Sequence, residues 1–293
     1  MTAITTANLT PTRWWRSRAV NRFTRHHLAL AGIAMITLLV LACVVAPYAL
    51  PYDSLNIDLR ARFAPPLSGH HYLGTDPLGR DLAARLLMAG RVSLLVGFSA
   101  MLLSTLIGTL VGVTAGYRGG WIGAALMRMV DGFLSYPSIF LVLALAATLR
   151  PSPVMITVII AVTSWMETAR IVEAEVRSLR EREFVQAARM VGLRGRNIMF
   201  SEILPNAMGP IIVAASLAVA RAILLEAYIS FLGYGIQPPL PSWGNMLNGA
   251  QQYLASAPWL AIIPGAAITI AVTSFNFIGD GLRDALDVRD DHI

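Results

Sequence analysis

The side chains that most often perform catalysis are scarce in this sequence. The chain has a single cysteine, Cys43, and no lysine, since all 23 of its basic residues are arginines. Without a lysine it cannot form a phosphate-binding P-loop, so it does not hydrolyse ATP by that route. A single cysteine also excludes a disulfide framework and a cysteine-based zinc site.

Histidine, a common general base, is absent from the long apolar runs. Serine hydrolysis within a membrane needs a serine and a histidine at the same depth. All the histidines flank the runs or lie in loops: His26, His27, His70, His71 and His292. We therefore predict a protein that is not an enzyme and that holds no metal of its own.

The apolar runs predict an all-α membrane protein. Hydrophobic residues make up 56% of the chain and charged residues only 14%, against about 25% charged in soluble domains. A spanning helix needs about 20 apolar residues, and barrel strands would alternate with polar residues instead. We predict six transmembrane helices, at about 28–50, 93–117, 121–149, 153–168, 207–234 and 258–278.

The arginines predict the orientation of these helices. Residues 1–27 carry five arginines and no acid, which places the N-terminus in the cytoplasm. Six crossings then return the C-terminus to the same side. The segment 167–206, with seven arginines, also falls inside, and the uncharged segment 236–258 falls outside.

These assignments divide the chain into parts. They are a cytoplasmic basic segment (1–27), a first transmembrane helix (28–50), an extracytoplasmic segment (51–90), a core of five helices (91–280) that includes the cytoplasmic loop 167–206, and a cytoplasmic tail (281–293).

The formal net charge of +6 does not indicate nucleic-acid binding, because the arginines lie at membrane flanks. Trp14 and Trp15 stand beside N-terminal arginines. They are typical of an interfacial helix, although a frayed terminus fits the first residues equally well.

Residues 184–192 predict a short helix in the cytoplasmic loop. Ala187 and Ala188 would let another surface approach closely, and Gly192 can end the helix in a left-handed conformation. Pro205 is suited to the start of the next span. The neighbouring apolar residues form a face that could enter a partner's groove. A purely structural elbow between two spans would have a similar composition.

This loop resembles the EAA loop of the membrane subunits of ABC-type importers. The matching residues are Gln186-Ala-Ala, Gly192 and Ile203-Leu-Pro. Other blocks agree with the same family in the same order, among them Gly74-Thr-Asp-Pro-Leu-Gly-Arg-Asp81, Arg128 with Asp131, Glu226-Ala and Ser230-Phe-Leu-Gly. Together they cover roughly residues 25–285 and point to the permeases for dipeptides, oligopeptides and nickel.

The resemblance implies a type I ABC importer permease fold in the bacterial inner membrane. It implies a second homologous permease, two ATPase subunits that bind ATP and Mg²⁺, and an extracytoplasmic substrate-binding protein. Peptides are the expected cargo, with nickel or another small solute as the alternative and a secondary transporter as a more distant one. The residues expected to couple to the ATPase are Phe184, Gln186, Ala187, Ala188, Met190, Gly192, Ile203, Leu204 and Pro205.

Two charges fall within the fifth predicted span. Arg221 and Glu226 are five residues apart, which places them about 140° apart on a helix, so they should not pair with each other. Intramembrane charges often mark pathways, and we expect Arg221, Glu226 and Ser230 to belong to the translocation path or its gate. The alternative for Glu226 is a structural hydrogen bond to a neighbouring helix. Arg128 and Asp131 are expected to form a local ion pair.

Small residues recur every four positions in the second span, at Ser104, Gly108, Gly112 and Gly116. Such a stripe permits close helix contact, within the subunit or with the second permease.

The extracytoplasmic motif is expected to form a folded cap. It contains Gly74, Thr75, Asp76, Gly79, Arg80 and Asp81. We expect the two aspartates and Arg80 to be ion-paired, and the histidines at 70 and 71 to be exposed loop residues. The later loop around Trp243 could touch the binding protein, line an external gate, or form an interfacial aromatic belt.

Overall fold

The computed structural model describes residues 20–49, 53–69 and 71–286, and these fold almost entirely into helices. Outside the helices, this part of the chain has only isolated β-bridges. The all-α prediction is therefore confirmed. Trp14, Trp15, His70 and His292 lie outside the described residues.

The helices follow one another in the order α1 His27–Ala49, α2 Leu82–Arg118, α3 Gly120–Leu134, α4 Ser138–Thr148, α5 Pro153–Arg180, α6 Glu183–Met190, α7 Leu204–Phe231, α8 Trp243–Ala250 and α9 Trp259–Leu286. Five of them (α1, α2, α5, α7 and α9) are long and apolar enough to cross a membrane. The pair α3 and α4 passes the same test only when taken together, and the two are bent by 78°.

The third predicted span is therefore not one straight helix. The sequence predicted a continuous helix over 121–149, but α3 ends at Leu134 and α4 begins at Ser138. Pro137 explains the break, because proline lacks the N–H that would continue the helix. Its ring also disfavours the helical conformation of the preceding residue, Tyr136.

Several helices extend beyond the apolar spans predicted from the sequence, because helices do not end where hydropathy falls. α2 begins at Leu82, eleven residues before the predicted span, with the Asp81 carboxylate accepting a hydrogen bond from the Ala84 N–H. α5 runs unbroken from Pro153 to Arg180, so the helix continues past the predicted span 153–168 through the charged residues that follow. α9 continues to Leu286, well past 278 and into the predicted tail.

The small residues of α2 pack against α5 within this chain, which decides between the two uses that the sequence left open. A Cβ added at Gly108 would lie 2.6 Å from the Trp165 carbonyl oxygen, and one added at Gly112 would lie 2.6 Å from that of Ala169. At Gly116 the corresponding distance, to the Glu173 carbonyl oxygen, is 2.8 Å. The two backbones thus touch at three successive turns.

Two regions of apolar packing complete the fold. One surrounds the fully buried Trp243 and joins α2, α7, α8 and α9. Another includes Val113, Val176, Val185 and Ile203, and gathers the ends of α2, α5 and α7 around α6. α2 thus has an apolar cluster near each end, and the second cluster includes Val172 and Val176 of the α2–α5 contact.

The α2–α5 contact gives a first test. We expect Gly112→Ala to destabilise the protein by about 1–3 kcal/mol, as overpacking of a filled core does. The added methyl group would collide with the Ala169 carbonyl oxygen and with Val172. A lower melting temperature in detergent and less protein in the membrane would show this.

Gly132→Ala is the matched control, because nothing lies within 4 Å of a Cβ at that position of α3. Equal melting temperatures for the two variants would contradict the close α2–α5 contact.

Candidate functional site

Helix α6 is a small amphipathic helix seated on the ends of three long helices. Val185 is fully buried and belongs to an apolar cluster that also contains Val113 of α2 and Val176 of α5. Ala188, one turn later, is half-buried against the same cluster. α6 therefore cannot shift without moving the helices beneath it.

Gly192 ends α6 as the sequence predicts. Its φ is +83°, in the left-handed region. The Gly192 N–H donates to the Arg189 carbonyl at 3.0 Å, and the Leu193 N–H donates to the Ala188 carbonyl at 3.1 Å. This pair of hydrogen bonds defines a Schellman motif, and it turns the chain sharply after the helix.

The chain then enters α7 through a π-helical turn over Ile198–Ile203. The Leu204 N–H donates to the Met199 carbonyl, five residues back. Pro205, which follows, cannot donate a backbone hydrogen bond, so the regular α-helical pattern is interrupted here. Ile203 is fully buried, so this turn is fixed to the body of the protein.

The outer face of α6 carries apolar side chains that nothing in the described chain covers. Met190 is 85% exposed and Val191 is 83% exposed. Five of the other eight residues predicted to couple to the ATPase are also exposed, namely Phe184, Gln186, Ala187, Gly192 and Pro205, whereas Ala188 and Leu204 are partly buried and Ile203 is fully buried. The face that would meet a partner is thus held in one orientation by Val185 on the opposite side.

A second feature is a cavity of about 450 Å³ at the break between α3 and α4. Its wall includes Ser104 of α2, Tyr136 and Pro137 of the break, Thr163 of α5 and Arg221 of α7. The cavity lies at the 78° bend between the two helices. The wall mixes apolar side chains with hydroxyl groups and one ion pair.

That ion pair joins Arg221 of α7 to Glu167 of α5. Both side chains are about half exposed, and both line the cavity. Arg221 thus has a partner other than Glu226, as the helical spacing predicts.

A related ion pair corrects one expectation. Asp131 of α3 contacts Arg170 of α5, and not Arg128. The three-residue spacing of Arg128 and Asp131 would permit a local pair. The Asp131 carboxylate instead contacts Arg170 on the neighbouring helix. α5 therefore reaches the helices on both of its sides through charges one turn apart, Glu167 and Arg170.

Glu226 is fully buried and connects three elements. Its carboxylate accepts hydrogen bonds from Ser93 of α2 at 2.7 Å and from Ser230 of α7 at 2.8 Å. Ser93 in turn accepts from the Trp243 N–H of α8, and Ser230 accepts from the Ile236 N–H. Glu226 does not line this cavity, and its buried, hydrogen-bonded carboxylate favours the hydrogen-bond anchor over a gate.

The extracytoplasmic motif does fold into a cap that leads into α2. The Thr75 hydroxyl accepts from the Ala64 N–H at 2.8 Å, and Gly74 and Gly79 adopt left-handed turns. The Asp76 carboxylate accepts from Arg80 Nε at 2.6 Å. These contacts tie the cap to itself rather than to a distant helix.

Two expectations about this outer region were wrong. Asp81 pairs with His71, whose Nδ1 lies 2.8 Å from its carboxylate, rather than with Arg80. His71 is therefore a partly buried member of the cap and not a solvated loop residue. Of the three alternatives left open for the later loop, the structure excludes the interfacial belt for Trp243, which is fully buried and whose indole N–H donates to the Leu86 carbonyl.

Comparison with known proteins identifies the family to which this chain belongs. Residues 108–289 match the family described as binding-protein-dependent transport system inner membrane component. This chain belongs to that family. Residues 13–66 also match the N-terminal transmembrane domain of oligopeptide transport permease C. The chain is therefore an inner-membrane permease component of ABC importers rather than an enzyme.

Relatives align with most of the length of this permease. A Brucella suis protein named as a peptide permease is 44% identical over 93% of this chain and 91% of its own length. The dipeptide transport system permease DppC of Alkalihalophilus pseudofirmus is 41% identical over 94% of this chain and 90% of its own. The oligopeptide transport system permease OppC of Salmonella typhimurium is 41% identical over 93% and 90%.

A solved structure shows the same fold. A chain from an inward-facing structure of the MetNI methionine ABC transporter superposes with a TM-score of 0.57, at 21% identity. The match covers 69% of this chain and 96% of that one. The permease thus has the type I importer fold that the resemblance implies.

Sequence reasoning missed several partners of the predicted site residues. Ser93 and the Trp243 backbone hold the Glu226 network, and Glu167 and Arg170 complete the ion pairs. A buried carboxylate in an apolar run signals that donors must exist nearby. Ser93 lies 133 residues from Glu226 and 150 residues from Trp243 in sequence, and only the fold brings these residues together.

The Glu226 network provides the second test. In Glu226→Ala the Ser93 and Ser230 hydroxyls lose their acceptor, and each unsatisfied buried donor costs about 1–3 kcal/mol. We expect a markedly lower melting temperature and poor accumulation of the permease in the membrane.

Glu226→Gln serves as the comparison variant, because the amide keeps one acceptor oxygen and nearly the same volume. It should retain most of the stability. If instead Glu226→Ala were as stable as the native permease but failed in transport, the anchor role would be wrong.

Proposed function

We propose that this chain is one of two permease subunits of an ATP-driven importer of peptides delivered by an extracytoplasmic substrate-binding protein. Family membership and the peptide permeases among its relatives support the cargo. The observation that carries the coupling role is α6, an exposed apolar face fixed to the body by Val185. Such a face suits the groove of a partner subunit.

We further propose six crossings with both termini in the cytoplasm. Counting the bent pair α3–α4 as one crossing gives six. Alternation of direction then puts α6 on the same side as the N-terminal segment, which carries five arginines and no acid. The positive-inside rule assigns that side to the cytoplasm.

ATP and Mg²⁺ then belong to two ATPase subunits, which is consistent with a chain that contains no lysine. Closure of the ATPases would push on α6. Because α6 packs on the ends of α2, α5 and α7, the push reaches the same three helices that line the 450 Å³ cavity. Movement of α6 can thus change the shape of the cavity without any local unfolding.

The cavity at the α3–α4 break is proposed as this subunit's part of the translocation path. Tyr136 offers a phenol to a passing peptide backbone, whereas the Ser104 and Thr163 hydroxyls already donate to carbonyls of their own helices and retain only an acceptor role. The Glu167–Arg221 pair bridges α5 and α7 across the wall. Relative movement of these two helices would have to stretch or break that pair, so it is placed to tie the path to the stroke.

The docking role of α6 is tested by Met190→Asp. Met190 is 85% exposed, so folding should be unaffected, but the carboxylate would become buried without a partner against the ATPase. Since a loss of about 1.4 kcal/mol is tenfold in affinity, we expect at least a tenfold loss of peptide uptake in proteoliposomes, and less ATPase recovered with the permease.

Leu67→Asp is the matched control, because Leu67 is 82% exposed and lies in the cap, on the opposite side in the proposed topology. It should bind the ATPase normally. Normal uptake and ATPase recovery with Met190→Asp would exclude α6 as the docking element.

The proposed path is tested by exchanging its ion pair. Arg221→Ala leaves Glu167 uncompensated beside the cavity, and we expect peptide uptake to fall. Arg221→Glu combined with Glu167→Arg should recover a substantial part of it, with a coupling energy of about 0.5–3 kcal/mol.

The Glu173–Arg177 pair within α5, which does not line the cavity, provides the control. Its atoms are 3.6 Å apart and Arg177 is largely exposed, so Arg177→Ala should leave uptake within about twofold. Equal effects of Arg221→Ala and Arg177→Ala would argue against a path through this cavity.

A further inference from the structure

A second cavity lies at the opposite end of the molecule from α6. It has a volume of about 360 Å³ and lies between the cap, the end of α7 and helix α8. In the proposed topology it opens on the extracytoplasmic side, where cargo arrives. The transport role derived above makes no use of it.

The charges around this cavity do not balance. Asp76, Arg80 and Arg85 all line it, so two guanidinium groups meet one carboxylate. Asp76 is already well satisfied, because its oxygens accept from the Leu78 N–H at 2.8 Å, the Arg80 N–H at 3.0 Å and Arg80 Nε at 2.6 Å. Little acceptor capacity remains for the second arginine.

Arg85 is the arginine whose hydrogen-bonding groups are not all paired. Its side chain is 7% exposed, and its Nε reaches Asp76 only at 3.5 Å. Its Nη1 is buried and has no hydrogen-bond partner among the described residues. A buried guanidinium that lacks an acceptor is costly, and a carboxylate is the group whose geometry matches it best.

The rest of the wall suits an amide-rich ligand. Asn248 and Gln252 present side-chain amides, and Tyr253 presents a phenol. Asn248 already donates to the Phe231 carbonyl at 2.7 Å, which fixes its orientation and leaves its oxygen as an acceptor. The cavity thus combines one net positive charge with neutral polar groups that can meet peptide bonds.

We propose that this outer cavity binds the C-terminal carboxylate of a cargo peptide through Arg85, as a receiving site before the peptide enters the path. This inference rests on the proposed function, since it takes the cargo to be a peptide.

The test uses the complete permease–ATPase complex in nanodiscs without the binding protein, titrated with trialanine and with trialanine amide. We expect trialanine to bind at least tenfold more tightly than the amide, because the amide cannot form the charge-assisted pair. Arg85→Gln should abolish that preference. Arg60→Gln, an exposed cap arginine outside the cavity wall, should preserve it.

A second variant guards against a folding defect in Arg85→Gln. Gly249 of α8 lines the cavity, and nothing lies within 4 Å of a Cβ added there. Gly249→Phe should therefore block trialanine binding by filling the space while leaving every charge in place.

Equal binding of trialanine and its amide, or a preference unchanged in both variants, would overturn the receiving site. Acetate that competes with an affinity equal to that of trialanine would show a site for free anions and would also overturn it. The proposed function would survive either result if ATP-driven peptide uptake persisted, and it would fail separately if the complete importer did not transport peptides.

Discussion

Three glycines let the backbones of α2 and α5 touch, and the other helices are arranged around that contact. An added methyl group at Gly108, Gly112 or Gly116 would lie within 2.8 Å of an α5 carbonyl oxygen. Two long helices held this closely behave as one rigid unit, because packed interiors have little room to deform. α6 docks on one end of this unit, and the Glu226 network ties its other half to α7 and α8.

In the proposed function this rigidity gives the helices a mechanical role as well as a structural one. The exposed face of α6 and the wall of the 450 Å³ cavity are built on the same helices, α2, α5 and α7. A displacement at one end therefore moves the other, without a separate chain of contacts between them. The break at Pro137 departs from regular helical packing, and it provides the open space that such a displacement can widen or close.

Polar groups within the apolar body divide into two kinds. Glu226 is fully buried and satisfied by serines on α2 and α7, which is how a structural anchor is built. Arg221 and Glu167 are about half exposed and line a cavity, as the proposed translocation path requires. The same residue types thus hold the helices together in one place and stay accessible in another.

The sequence by itself determined the class of the protein and the turn that ends α6. Hydropathy established helical spans, motif order identified the family, and the left-handed turn at Gly192 followed from the residue type. Only the tertiary structure decided the partners. Asp131 pairs with Arg170 instead of Arg128, Glu226 with Ser93, and His71 with Asp81, because each partner is chosen by the packing of separate segments. The angle of the bend at Pro137 and the unpaired Nη1 of Arg85 are also visible only in the folded protein. A sequence specifies neither interhelical angles nor which buried donors lack an acceptor.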